Sequence, residues 1–74
     1  MKYIIKAESI KDTESRIYAT VTDENENFII SLDEYTPDPT IIINKIRKLL
    51  LYANPSAEFS IYINGKNTTI PLED

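Results

Sequence analysis

Residues 23–34 read DENENFIISLDE and come close to the pattern of a calcium-binding EF-hand loop. That pattern needs Asp at position 1, Asp or Asn at positions 3 and 5, Gly at position 6 and Glu at position 12. Asp23, Asn25, Asn27 and Glu34 fit it, while Phe28 stands where the loop needs Gly. The stretch is therefore either an ion site or a chance match in a chain rich in Asp, Glu and Asn.

The residues around this stretch favour a chance match. A calcium loop lies between two helices and turns sharply at its Gly, whereas residues 15–22 alternate between apolar and polar side chains, as a strand does. Phe28 begins a second alternating run and is predicted to be the first core residue of the next strand. Because that strand would carry Glu34 away from Asp23, we predict a hairpin turn here and no metal site.

Catalytic chemistry is restricted by what the chain lacks. It contains no His or Cys, and its single Gly is Gly65. The commonest general base and the Ser-His and Cys-His nucleophiles are therefore missing, as is a glycine-rich phosphate loop. The adjacent carboxylates of Asp33 and Glu34 would point to opposite faces of a strand, so they would not face each other across a substrate as in a glycosidase. We expect a protein that is not an enzyme and has no cofactor.

Size and charge narrow the class of protein further. A chain of 74 residues forms a single domain, 1–74, with a small core. The absence of Cys and the short apolar run in MKYIIKAE, which suits neither a signal peptide nor a membrane span, predict a cytoplasmic protein. The net charge is −4, and residues 17–44 contain no Lys or Arg. Because nucleic-acid-binding domains usually show a basic stripe, we expect neither nucleic acid nor membrane as a direct ligand.

Two periodicities predict an α+β fold. A period of two predicts strands near residues 2–8, 15–22, 28–33, 59–63 and 66–70, and the polar stretch at 11–14 would join the first two. A helix over about 39–53 gives the order β-β-β-α-β-β. We expect a five-stranded, mostly antiparallel sheet in the order 3-2-1-4-5, with the helix packed on one face. A right-handed crossover would place the fourth strand parallel to the first.

Local signals set the ends of the helix and one hairpin. Asp38 is predicted to be the N-cap, because a residue before proline avoids helical geometry and Pro39 suits the first helical turn. Pro55 should end the helix near Ala53. The residues expected on its core face are Ile42, Ile43, Ile46, Leu49, Leu50 and Ala53. Asn64-Gly65 predicts a type I′ turn between the last two strands.

With catalysis set aside, three surfaces are candidates for binding a protein. The first is an acidic region, composed of Asp23, Glu24, Glu26, Asp33, Glu34 and Asp38. The second is the open sheet face, which the helix does not cover and which should carry Ile4, Arg16, Tyr18, Ile29 and Tyr62. The third is the outer helix stripe, composed of Ile41, Lys45, Lys48 and Tyr52. For each, the alternative is an ordinary solvated surface.

These observations predict a small non-catalytic protein-binding module. Its expected role is that of an inhibitor or adaptor that occupies a surface of a larger protein, of the kind encoded by phages and mobile elements, and the acidic region would dock on a basic partner. The alternative is a homo-oligomeric structural or assembly protein, a homodimer for example, that associates through the open sheet face.

Overall fold

The computed structural model of the chain describes residues 1–10 and 16–71. The predicted polar connection at 11–14 lies outside the described residues. The elements are β1 (Lys2–Ser9), β2 (Arg16–Asp23), β3 (Phe28–Tyr35), α1 (Pro39–Ala53), β4 (Glu58–Ile63) and β5 (Lys66–Thr68). This order confirms the predicted α+β fold, and the helix has the predicted bounds. The last strand is shorter than expected, since it ends at Thr68.

The five strands form one mixed sheet in the order β3-β2-β1-β4-β5, which confirms the predicted order. β1 lies at the centre, antiparallel to β2 and parallel to β4. The two outer pairs, β2 with β3 and β4 with β5, are antiparallel. β3 and β4 run in the same direction and are separated by β2 and β1, so a tight turn cannot join them, and α1 serves as the crossover between them.

The core lies between α1 and the middle of the sheet. α1 packs across β1 and β2, and the large side chains that are fully buried are Ile5, Val21, Ile42, Ile43 and Ile46. Burying a side chain of this size contributes about 1.5–3 kcal/mol relative to leaving it exposed, so this small cluster supplies much of the stability. Within residues 1–10 and 16–71, no helix is long and apolar enough to cross a membrane.

The local signals for the helix cap and the hairpin are confirmed. One carboxylate oxygen of Asp38 accepts a hydrogen bond from the backbone N–H of Thr40 at 2.9 Å, as an N-cap does. At the other end the N–H of Asn54 donates to the carbonyl of Leu50 at 2.8 Å. Asn64 and Gly65 both have positive φ, 50° and 84°, which is the backbone conformation of a type I′ turn.

The prediction that Phe28 is a core residue is wrong, because the pairing of β2 with β3 contains a bulge. Val21 pairs with Ile30, but its neighbour Thr22 pairs with Phe28, so Ile29 is the extra residue. Since paired residues share a face of the sheet and successive residues alternate, this shift moves Phe28 to the face opposite the helix. There its side chain is 64% exposed.

Two residues predicted on the core face of the helix, Leu49 and Ala53, are exposed. Lys45, one turn before Leu49, forms a 2.6 Å ion pair with Glu34 on β3. Because residues four apart lie on one side of a helix, Leu49 also lies on the flank nearer β3, beyond the strands that α1 covers. It is 58% exposed there. Ala53 is the last helical residue, where α1 passes the end of the core.

Candidate protein-binding surface

The open sheet face carries the side chains that alternate away from α1. The cross-strand pairs place its members in rows across the sheet, since directly paired residues lie on the same face. Tyr18 on β2 lies between Asp33 on β3 and Glu8 on β1. Four of the five residues predicted for this face alternate with buried neighbours on β1, β2 and β4, and these are Ile4, Arg16, Tyr18 and Tyr62. The fifth, Ile29, lies at the bulge and is 37% exposed.

Arg16 organises one end of this face. Its Nε donates to a carboxylate oxygen of Asp33 at 2.9 Å, and a terminal guanidinium nitrogen donates to the other oxygen, so the pair is bidentate. The guanidinium also lies 5.6 Å from the ring centre of Tyr35, in cation–π contact. The hydrogen bond and charge of Arg16 lower the pKa of Asp33, and the same contacts raise the pKa of Arg16. These contacts join Arg16, Asp33 and the exposed ring of Tyr35 in one cluster.

Large apolar side chains on this face concentrate on β2 and β3. Those with the greatest exposure are Tyr18 at 41%, Phe28 at 64% and Tyr35 at 77%. By contrast, the residues of this face on β1 and β4, Ile4 and Tyr62, are half-buried. Tyr18 and Tyr35 lie near one end of the β2–β3 pair and Phe28 lies at the other end, and interfaces are enriched in aromatic residues of this kind. The β2–β3 half is therefore the part of the face best suited to contact another protein.

A shallow cleft of about 450 Å³ opens at the β1–β4 half of the same face. Its walls include Ile4 and Tyr62, with Lys6 and Glu8 as charged neighbours and Gly65 of the hairpin at one end. Lys6 pairs directly with Tyr62 across the parallel strands, so its aliphatic stem lies beside the ring. The cleft has no converging set of polar groups and is better described as part of a contact surface than as a small-molecule site.

Asp23 of the acidic region is occupied by its own turn. One carboxylate oxygen accepts from the backbone N–H groups of Asn25 and Asn27 at 2.8 and 2.9 Å, and the other accepts from the side-chain amide of Asn27 at 3.0 Å. These hydrogen bonds, led by the side chain of Asn27, lower the pKa of Asp23. A carboxylate that accepts three N–H groups stabilises the β2–β3 turn, which is a structural role different from the calcium ligand that the sequence pattern suggested.

The rest of the acidic region is spread over several surfaces. Asp33 is bound by Arg16 on the open sheet face, and Glu34 is bound by Lys45 on the helix side. Asp38 caps α1. The acidic residues with high exposure at the β2–β3 turn are Glu24 and Glu26. The structure therefore does not bring the six carboxylates together, and most of their charge is balanced or hydrogen-bonded within the chain.

The outer helix stripe is exposed as predicted, with Ile41 at 49% and Tyr52 at 92%. Lys45 turns from the stripe to pair with Glu34. Near the start of the helix, Ile41, Lys45 and Lys48 line a cleft of about 360 Å³ with Asp38. Its lining joins an apolar side chain to groups of both charges, which is typical of a solvated helix surface.

Sequence reasoning missed a buried cation on the opposite flank of α1. Arg47 is 7% exposed and donates to the carbonyls of Ile70 and Pro71 at 2.7 and 3.1 Å and to the side-chain oxygen of Asn44. Desolvation lowers the pKa of Arg47. Its position beside the core face of the helix was a signal in the sequence, but the two carbonyls that it binds lie more than twenty residues away. It fastens the chain that follows β5.

The described residues contain no group of three or more acidic side chains placed to hold a metal ion. Asp33 pairs with Arg16 on one face of β3 and Glu34 pairs with Lys45 on the other, so these two carboxylates do not face each other. No protein-family model, no curated protein and no solved structure matches this chain. The physical features of its surfaces are therefore the basis for a functional proposal.

Proposed function

We propose that this chain is a small protein-binding module that acts without catalysis, as an inhibitor or adaptor, by covering a surface of a larger protein with the β2–β3 half of its open sheet face. The observation that carries the proposal is the group of exposed aromatic side chains there, Tyr18, Phe28 and Tyr35. Each presents a stiff ring that loses little conformational entropy on binding, and Tyr adds a hydroxyl group for hydrogen bonding.

Preorganisation supports this part of the face. Arg16 pairs with Asp33 and in turn contacts the ring of Tyr35, so these contacts are already present in the free chain. The conformational entropy cost of fixing these side chains on binding is then smaller. The acidic region is a weaker candidate, because four of its six carboxylates already accept hydrogen bonds from groups of the same chain. Glu24 and Glu26 could still steer a basic partner toward the neighbouring face.

The test compares tyrosines on opposite sides of the molecule. The wild type, Tyr18→Ala and Tyr52→Ala would each be immobilised and exposed to lysate of the source cell, and the affinity for any retained protein would then be measured by titration. Tyr52 is the matched control, since it is an exposed tyrosine on the outer helix stripe. We expect Tyr18→Ala to weaken binding by about 2 kcal/mol, roughly thirtyfold, and Tyr52→Ala to leave it unchanged.

Two results would count against the proposal. If Tyr52→Ala loses the partner and Tyr18→Ala keeps it, the outer helix stripe is the contact surface. If neither variant alters binding but changing Glu24 and Glu26 to Gln abolishes it, the contact is acidic docking. Both tyrosines are exposed, so each alanine variant should change the free energy of unfolding by less than about 1 kcal/mol, which a urea titration checks.

A further inference from the structure

β3 forms one edge of the sheet. It is eight residues long, and among the described residues only β2 pairs with it. An edge strand presents unpaired backbone N–H and C=O groups that can template pairing with another strand. At the opposite edge, β5 has three residues. The long edge therefore offers the larger set of backbone groups for association.

The features that usually protect a sheet edge are weak on β3. Residues 28–35 contain no Pro and no Lys. The two carboxylates on the strand, Asp33 and Glu34, are each paired with a cation of the same chain, Arg16 and Lys45. Their charge is thus largely balanced, so repulsion between two such edges is reduced. The bulge at Ile29 lies near one end and leaves the rest of the strand regular.

Apolar side chains flank this edge on both faces of the sheet. On the open sheet face, Phe28 and Tyr35 are exposed at the two ends of β3. On the helix side, Leu32 is only partly buried, and Leu49 on the nearer flank of α1 is 58% exposed. The main contacts of α1 are with β1 and β2, and the helix side of β3 is only partly covered, since Leu32 and Glu34 are half-buried. A strand added at this edge would cover apolar groups on both sides.

We propose that β3 pairs antiparallel with β3 of a second copy of this chain, about a two-fold axis at Leu32, so that two five-stranded sheets form one continuous sheet. Directly paired residues lie on the same face, and side chains alternate along a strand, so the two paired positions differ by an even number of residues. The two-fold axis therefore lies at a residue and not between two residues. With Leu32 on the axis, Ser31 lies opposite Asp33 of the second copy, and Ile30 lies opposite Glu34. No two carboxylates then face each other.

The neighbouring registers are less favourable. An axis at Asp33 or at Glu34 would place that carboxylate directly opposite its own copy, and like charges in that position are destabilising. An axis at Ser31 would set Glu34, which lies on the helix side, opposite Phe28, which the bulge turns to the open sheet face. The axis at Leu32 instead places Ile29 opposite Tyr35 of the second copy on the open sheet face. It thereby joins the exposed apolar groups of the two copies.

The chain has no Cys, so single-cysteine variants report this contact without interference. Leu32→Cys would be oxidised with diamide at about 100 μM protein, a concentration at which a weak dimer is populated. Two Cys on the axis are close enough for a disulfide, which requires Cα atoms roughly 4.4–6.8 Å apart. We expect at least about tenfold more covalent dimer than from Tyr52→Cys, the exposed helix control. Ser31→Cys should lag behind Leu32→Cys, because its sulfur lies off the axis.

Sedimentation velocity supplies a second measurement that does not depend on cysteine. We expect the wild type to sediment as a dimer at about 100 μM, and the double variant Ile29→Lys with Tyr35→Lys to sediment as a folded monomer, because it brings lysines opposite each other. Pairing Ile29→Lys with Tyr35→Glu should restore the dimer. The proposal would be overturned if the wild type sediments as a monomer. It would also be overturned if oxidation traps a dimer through Tyr62→Cys, on the open sheet face, and not through Leu32→Cys. The proposed function is tested by a separate measurement, the affinity of Tyr18→Ala for its partner.

Discussion

At one edge of the sheet β3 runs for eight residues, whereas at the other edge β5 pairs for only three. After Thr68 the chain leaves the sheet, and Arg47 binds the carbonyls of Ile70 and Pro71. Those backbone groups are thus satisfied from the helix, and Pro71 has no N–H to offer a further strand. Among residues 1–10 and 16–71, the contacts that hold the side chains of β3 at this edge are its ion pairs with Arg16 and Lys45.

The two edges of the sheet differ in role: contacts at β5 stabilise the fold, whereas exposed groups at β3 are available for association. The β5 edge uses a buried cation to fasten a short strand, which suits a structural role. The β3 edge keeps its charged groups in exposed ion pairs, which contribute little to stability in water. It also displays aromatic groups that cost free energy to leave in water. The features available for association therefore lie on the β2–β3 half of the molecule.

Of substitutions at the two sheet edges, the one that removes the Arg47 side chain beside β5 should lower the stability most. Arg47→Ala leaves a space in a nearly closed site and deprives Asn44 and two backbone carbonyls of their donor. We expect a loss of about 2–4 kcal/mol in the free energy of unfolding, measured by urea titration. The control is Lys48→Ala on the exposed side of the same helix, with a change within about 0.5 kcal/mol. An unchanged urea midpoint for Arg47→Ala would show that the hydrogen bonds of Arg47 do not stabilise the fold.

A substitution at Phe28, the first residue of β3, tests whether the bulge is present. Phe28→Ala should lower the free energy of unfolding by less than about 1 kcal/mol, because the ring is 64% exposed. Ile5→Ala, in the fully buried centre of the sheet, should cost about 2–5 kcal/mol in the same urea titration. If β2 and β3 paired without the bulge, Phe28 would lie in the core, and Phe28→Ala would lower the free energy of unfolding by about 3–5 kcal/mol.

The smallest expected effect concerns the pH dependence of the Arg16–Asp33 pair. Arg16 lowers the pKa of Asp33 below its ordinary value of 3.8, so the carboxylate stabilises the folded state above that pH. This contribution is lost as the pH falls through the lowered pKa. The urea midpoint of Asp33→Asn should therefore decrease less between pH 7 and pH 2 than that of the wild type.

Glu24→Gln is the matched control for this experiment, since it removes one negative charge from the turn between β2 and β3 without touching Arg16. If Asp33→Asn and Glu24→Gln show the same acid sensitivity, the difference from wild type reflects net charge and not the ion pair. Added salt offers a further comparison, because an exposed pair is screened as ionic strength rises.

The sequence by itself determined the features that arise from neighbouring residues. Alternation at a period of two located the strands, Asp38 before Pro39 located the start of α1, and Asn64-Gly65 located the last hairpin. Each signal acts within a few residues, through backbone sterics, a capping hydrogen bond or a turn that requires positive φ. Even the strand order followed, because a helix between two strands favours a right-handed parallel crossover.

Only the tertiary structure decided how surfaces are assembled from distant residues. The bulge that exposes Phe28 is a property of how β2 and β3 pair, and a shift of one residue there changes the face of a side chain without changing the local pattern. Leu49 is exposed because α1 lies over β1 and β2, although its helical periodicity matches that of the core residues. The carbonyl partners of Arg47 and the cation partner of Asp33 are likewise distant in sequence, so these contacts arise only when the chain has folded.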